Sequence, residues 1–188
     1  MTSLPISANA EFIEFTEEYN ASDYLERAAE FIRCIESDPY AWKWVVLALH
    51  GALYGFAICA CKGTDYENIM RNGKLITLNE ALRICQNKSW MCSLYGARPL
   101  TLSDEQRESI KKLNRSLRNH FVHYIPSAWA IEIHGMPRIS IDVLQVIRVL
   151  AVEIFRYQRF TSAQRAHLDS LITNSIDILK ASRLYQEE

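Results

Sequence analysis

Ala41 to Cys61, AWKWVVLALHGALYGFAICAC, is the stretch on which the fold turns. It holds a single formal charge, Lys43, in 21 residues. A helix of that length would span a bilayer. Three features favour a protein interior instead. His50 sits mid-segment beside Gly51, no basic cluster marks one flank, and no second span accompanies it. A helix apolar on every side is also what fills the centre of a helical bundle. Gly51 and Gly55, four residues apart, let a neighbouring helix approach closely. The expectation is a buried central helix and no membrane contact.

The neighbours of this helix follow by periodicity. On its N-terminal side, Leu25, Ala28, Ala29, Ile32 and Ile35 recur at helical spacing from Asp23 onward, and Asp38-Pro39 breaks the run. Residues 1–20 have weak periodicity and read as an acidic, partly ordered arm. Residues 62–74 are polar with two glycines and read as a loop. Thr77 and Glu80 have the spacing of a capping box and open a short helix to about Cys85 or Gln86. Ser103 and Gln106 repeat the signal before a long helix over about 104–124. Trp129, Ile131 and Ile133 alternate with Ala130, Glu132 and His134, a brief strand-like excursion. Helical spacing resumes with Ile141, Leu144, Ile147, Leu150 and Ile154, and Thr161 to Gln164 caps a last helix to about Leu184. The expected fold is all-α. Residues 21–188 should form a single-domain up-and-down bundle of five to six helices, three of them long.

Composition agrees with a globular chain. Of 188 residues, 49% are hydrophobic and 23% charged, which excludes a disordered or collagen-like protein. A domain of this size buries roughly 70% of its unfolded surface, so no disulfide or metal is needed to hold it. The five cysteines, Cys34, Cys59, Cys61, Cys85 and Cys92, are odd in number and contain no C-x2-C pair. Small buried thiols in a reducing, cytoplasmic setting are the expected reading. Residues 1–20 carry four Glu and no basic residue, unlike a secretory leader. Charge is unevenly divided: residues 1–40 hold nine acids and two bases, a net of −7, and the remainder has a net of +6.

No Gly-rich phosphate loop, H-E-x-x-H or G-x-S-x-G sequence is present, and no metal or cofactor site is expected. Chemistry-bearing residues concentrate instead in the helix ending Lys111-Lys-Leu-Asn-Arg115-Ser-Leu-Arg118-Asn119-His-Phe-Val-His123-Tyr124. On a regular wheel, Ile110, Leu113, Leu117, Phe121 and Tyr124 make a core stripe about 80° wide. Arg115, Asn119 and His123, at i, i+4 and i+8, line up on roughly the opposite side, with Arg118 between row and stripe. Two guanidinium groups, an amide and an imidazole on one non-core surface suit a phosphate. Glu132, just downstream, is placed to pair with Arg115 or Arg118. His50 reads as a core histidine with a hydrogen-bond partner.

Arg118-Asn119-x-x-x-His123, late in a long helix of an all-α domain, resembles the R-x(4–6)-H motif of the HEPN superfamily, including the polar residue after the Arg. The specific match covers about residues 113–124, while the architecture would cover the whole domain. The resemblance implies a metal-independent endoribonuclease acting as a homodimer, with both motifs in one composite cleft. It equally allows a non-catalytic RNA-binding or scaffold module. Under the first reading Arg118 and His123 are catalytic, with Asn119, Arg115 and Glu132 binding or orienting substrate. Toxin members often have a Tyr two places after the His; here Tyr124 follows at once and Ile125 takes the later place, which argues against a toxin-specific role. A toxin–antitoxin or defence setting would then need a separate nucleotidyltransferase-type antitoxin chain. The body's modest +6 favours an RNA held by few phosphate contacts, such as a tRNA loop.

Overall fold

The chain enters its first helix, α1 (Glu17–Ile32), at Thr16, whose hydroxyl accepts the Tyr19 N–H at 3.2 Å. The computed structural model describes residues 12–94, 96–123, 128–154 and 160–186. Helix α1 thus begins inside the stretch expected to be an arm. Its first turn lacks an apolar repeat and is fixed by polar groups. The Glu17 carboxylate receives Lys62 Nζ at 3.1 Å and the Tyr66 hydroxyl, and these partners hold its pKa below the usual carboxylate value, the Tyr66 bond most of all.

The central apolar run is α2 (Ala41–Lys62). It is long and apolar enough to cross a membrane, yet 67% of its most apolar window is packed inside the protein. Burial occurs on several faces: Trp42, Leu49, Leu53 and Phe56 are all at most 2% exposed. Helix α1 lies close against it, and the two glycines are the reason. A Cβ at Gly51 would sit 2.5 Å from the Tyr24 ring, and one at Gly55 would sit 2.7 Å from Ala21 Cβ.

Residues 62–74 are more ordered than the expected loop. Asp65 caps a 3₁₀ turn (Tyr66–Ile69), which leads into a hairpin of β1 (Met70–Arg71) and β2 (Lys74–Leu75). Met70 pairs with Leu75 and Arg71 with Lys74, antiparallel. Asn72 and Gly73 both take positive φ, 53° and 72°, as a two-residue hairpin turn requires. The Asn-Gly pair was the readable signal, and the strands are too short to show alternation.

Helix α3 (Leu78–Gln86) begins at the expected capping box, with Thr77 and Glu80 each bonding the other's backbone N–H. Asn87 then caps a further short helix, α4 (Lys88–Ser93), which periodicity did not reveal. The expected long helix over 104–124 is interrupted. It comprises α5 (Asp104–Lys111), a π-helical segment (Lys112–Leu117) and α6 (Arg118–Val122), after which His123 turns to extended backbone. Tyr124 and Ile125 lie outside the described residues. The Ile131–His134 segment forms no strand, although its side chains alternate as expected: Ile131 and Ile133 turn inward, Glu132 and His134 outward.

Helix α7 (Met136–Arg148), with Pro137 in its first turn, continues as a second π segment (Val149–Glu153). Thr161 and Gln164 form the capping box of α8 (Ser162–Ala181), which is followed by α9 (Arg183–Gln186). Helix α8 packs on α1 and α7, and α2 also meets α7. Arg148 secures α8 through Asp169 at 2.9 Å and Thr173 at 2.6 Å. The described residues form an all-α architecture with one small hairpin. Cys59, Cys61 and Cys85 are buried, but Cys34 and Cys92 are exposed, so the expectation of buried thiols holds for three of the five.

Candidate functional site

The π segment decides where the motif points. In such a segment the backbone bonds run from i to i+5, which inserts roughly one residue into the turn and shifts the later register. Arg118 N–H accordingly donates to Leu113 C=O, and Leu113 is 1% exposed. Arg118 therefore follows a core residue by one wide turn and is half-buried, whereas regular spacing sets it beside the stripe.

The three residues of the expected row, Arg115, Asn119 and His123, differ in exposure. Arg115 and His123 are exposed, and Asn119 is half-buried next to Arg118. Arg118 Nη1 donates to Asn119 Oδ1 at 3.1 Å, and His123 N–H donates to Asn119 C=O at 2.9 Å. Asn119 thus links the two motif ends, by its side chain to the guanidinium and by its backbone to the His123 turn. With φ −98° and ψ 119° at His123, the backbone leaves the helical path at the end of α6.

On the inward side the segment meets α2. His50 Nε2 lies 3.1 Å from Asn114 Oδ1, and Asn114 Nδ2 donates to Asn79 Oδ1 at 3.4 Å. Three elements are thereby joined: α2, the π segment and the first turn of α3. Burial lowers the pKa of His50 below the usual histidine value, and the Arg118 charge lowers it further; the bond to Asn114 opposes both. His50 is neutral at pH 7 as a result. The Tyr54 ring, one turn along α2, is centred 6.4 Å from the His50 ring, and its hydroxyl donates to Ile76 C=O. Burial raises Tyr54 above the ordinary tyrosine value. His50 does have the hydrogen-bond partner expected of it, but it also belongs to the environment of Arg118. A histidine inside an apolar run was the signal in the sequence, and the partner 64 residues away was not readable.

The outer side is aromatic. His120 Nδ1 is 2.6 Å from Ser116 C=O, and the Trp129 ring packs on His120 and Phe121, each at 5.4 Å between centroids. Trp129 and Val122 each remain 41% exposed. Glu132 is exposed, and among the described residues it makes no ion pair with Arg115 or Arg118. The expected Glu132 pairing is therefore not found among the described residues, where Glu132 lies on the outward side of the Ile131–Ile133 alternation. Lys111 is partly neutralised by Glu108 at 3.2 Å. Lys112 and Arg115 stay exposed, leaving a small basic patch beside the motif. Among the described residues, no three His, Cys, Asp or Glu side chains converge as metal ligands would. Comparison with known proteins returns no matching family model, curated protein or solved structure.

Proposed function

We propose that the chain is a HEPN-type, metal-independent endoribonuclease that works as a homodimer with a composite site. The observation that carries the reading is the linkage of a half-buried Arg118 to Asn119, with exposed His123 one turn on at the end of the same helix. Metal-free RNA cleavage requires a base for the 2′-hydroxyl proton, an acid for the leaving 5′-oxygen, and a cation for the phosphorane. Arg118 suits the cation role, since a planar guanidinium binds phosphate oxygens in pairs. His123 supplies a solvent-accessible imidazole for proton transfer. Arg115 and Lys112 would hold a neighbouring phosphate, while Glu132 would contact substrate only from the rim.

Dimerisation brings the motif of a second chain to the same cleft. Exposed Val122 and Trp129, beside His123, are suited to the contact. The modest basic patch fits a structured RNA with few phosphate contacts better than long duplex. The test is incubation of the purified full chain with RNA in EDTA. The expected products end in 2′,3′-cyclic phosphate and 5′-hydroxyl, and His123→Ala abolishes them. Intact RNA after that incubation, together with normal dimerisation, sinks the enzyme reading and favours a non-catalytic HEPN-like scaffold. One observation favours that second reading: the oxygen of Asn119 already occupies part of the Arg118 guanidinium.

A further inference from the structure

Three large apolar side chains are left in water within one short stretch. Phe12, Ile13 and Phe15 are 83%, 73% and 63% exposed, just ahead of the Thr16 cap of α1. Single exposed apolar residues are ordinary, but a cluster of this kind marks a contact surface. A matching aromatic face lies at the far end of the same helix pair. The Phe31 and Trp44 rings stack with centroids 5.9 Å apart, and Lys43 Nζ sits 4.8 Å from the Trp44 ring centre. Trp44 is 47% exposed, and Tyr40, just ahead of α2, is 82% exposed.

The arm is too short to reach that face within one chain. Helices α1 and α2 run antiparallel: Glu17 meets Lys62 at one end, Tyr24 lies against Gly51 in the middle, and Phe31 meets Trp44 at the other. From Lys62 to Trp44 is about 27 Å of helix. The stretch from Phe12 to Thr16 covers about 14 Å when fully extended. Charge is complementary as well. Glu14 stands inside the arm, and residues 1–20 contain no base. Near Trp44, Arg33 and Lys43 make no ion pair among the described residues, while the acids there are engaged. Glu36 accepts the Arg183 N–H at 3.1 Å, Asp38 accepts the Tyr40 N–H at 2.9 Å, and Glu30 pairs with Arg27.

We infer that two copies of the chain associate with their α1–α2 pairs antiparallel, the Phe12–Phe15 arm of each packing on the Trp44 face of the other. Glu14 then meets Lys43 of the partner subunit. Because arm and aromatic face sit at opposite ends of one helix pair, a single two-fold axis makes both contacts at once. The inference rests on the homodimer of the proposed function and not on RNA cleavage. It adds a reciprocal arm to the contact around Val122, since α6, which carries Val122, packs on α2.

Cys34, exposed just beyond Phe31, is a native probe of the arrangement. In full-length protein carrying Cys92→Ser and Ile13→Cys, mild oxidation should give a covalent dimer linked between positions 13 and 34. With Cys92→Ser alone no link should form, because the two Cys34 residues lie at opposite ends of such a dimer. In analytical ultracentrifugation, Phe12→Ser with Phe15→Ser should raise the dimer Kd about 10-fold or more, with an unchanged circular dichroism spectrum. Lys43→Glu should weaken the dimer about 5-fold, and adding Glu14→Lys should restore it. An arm-dependent dimer that leaves RNA intact supports the inference and counts against the ribonuclease reading alone. A dimer whose Kd ignores the double serine variant overturns the inference and leaves the homodimer standing. A link between positions 13 and 34 inside one chain overturns the exchange between copies, and a monomer throughout overturns both the exchange and the homodimer.

Discussion

Helix α2 meets two neighbours on opposite terms. Against α1 its middle is apolar and close: Gly51 and Gly55 remove the side chains that would separate the helices, and Tyr24 and Ala21 fill the space. Toward Asn114 and Arg118 it presents His50, and the contact is a chain of polar groups resting on a π segment. The first interface gains from area and packing. The second interrupts regular helix geometry, joins half-buried polar atoms, and lies on the π segment that ends just before Arg118. Close apolar packing and polar contact are therefore separated along one helix.

Mutations should break the two regions differently. Leu49→Ala, at a position 0% exposed, should cost about 2–5 kcal/mol in chemical denaturation, the larger value if the cavity cannot collapse. A loss under 1 kcal/mol would mean that α2 is less tightly packed than described. Gly55→Ala adds one methyl against Ala21 and should cost roughly 1–3 kcal/mol, seen as a lower denaturant midpoint with an unchanged slope. Asn114→Ala strands His50 Nε2 and should cost about 1–2 kcal/mol, a penalty for an unmade hydrogen bond in a half-buried place.

The smallest effect is a slope with pH. His50 binds its proton less readily in the folded than in the unfolded chain. Below about pH 6.5 the unfolded state therefore holds more protons, and the His50 contribution to stability falls as the pH falls. Above that pH both states are neutral there and the contribution is level. Denaturation of wild type and His50→Gln between pH 5 and 7.5 should show the steeper acid loss in the wild type. Equal slopes would mean that His50 is not held neutral by its surroundings.

What the sequence revealed follows the same division. Repeating apolar residues announced α2, α7 and the later turns of α1, and three capping boxes marked α3, α5 and α8 at their first residues. The start of α1 was missed because its anchors, Lys62 and Tyr66, are remote in sequence. The hairpin was written in Asn72-Gly73 but passed for a loop between strands of two residues each. At the site, residue types were legible and their directions were not. A wheel assumes one angle per residue, and the π segment from Lys112 to Leu117 breaks that assumption just before Arg118. Nor could spacing pair His50 with Asn114, since that contact exists only once α2 and the segment have packed.

The central claim is that Arg118 stabilises the charge developing on a scissile phosphate. The direct measurement is single-turnover RNA cleavage in EDTA by wild type and Arg118→Ala, after equal thermal midpoints have been verified. The account predicts cleavage by the wild type and a rate lower by about 10²–10³ in the variant, the usual loss when one stabilising group is removed. Wild-type and variant rates within a factor of about three, less than 1 kcal/mol of transition-state stabilisation, would contradict it.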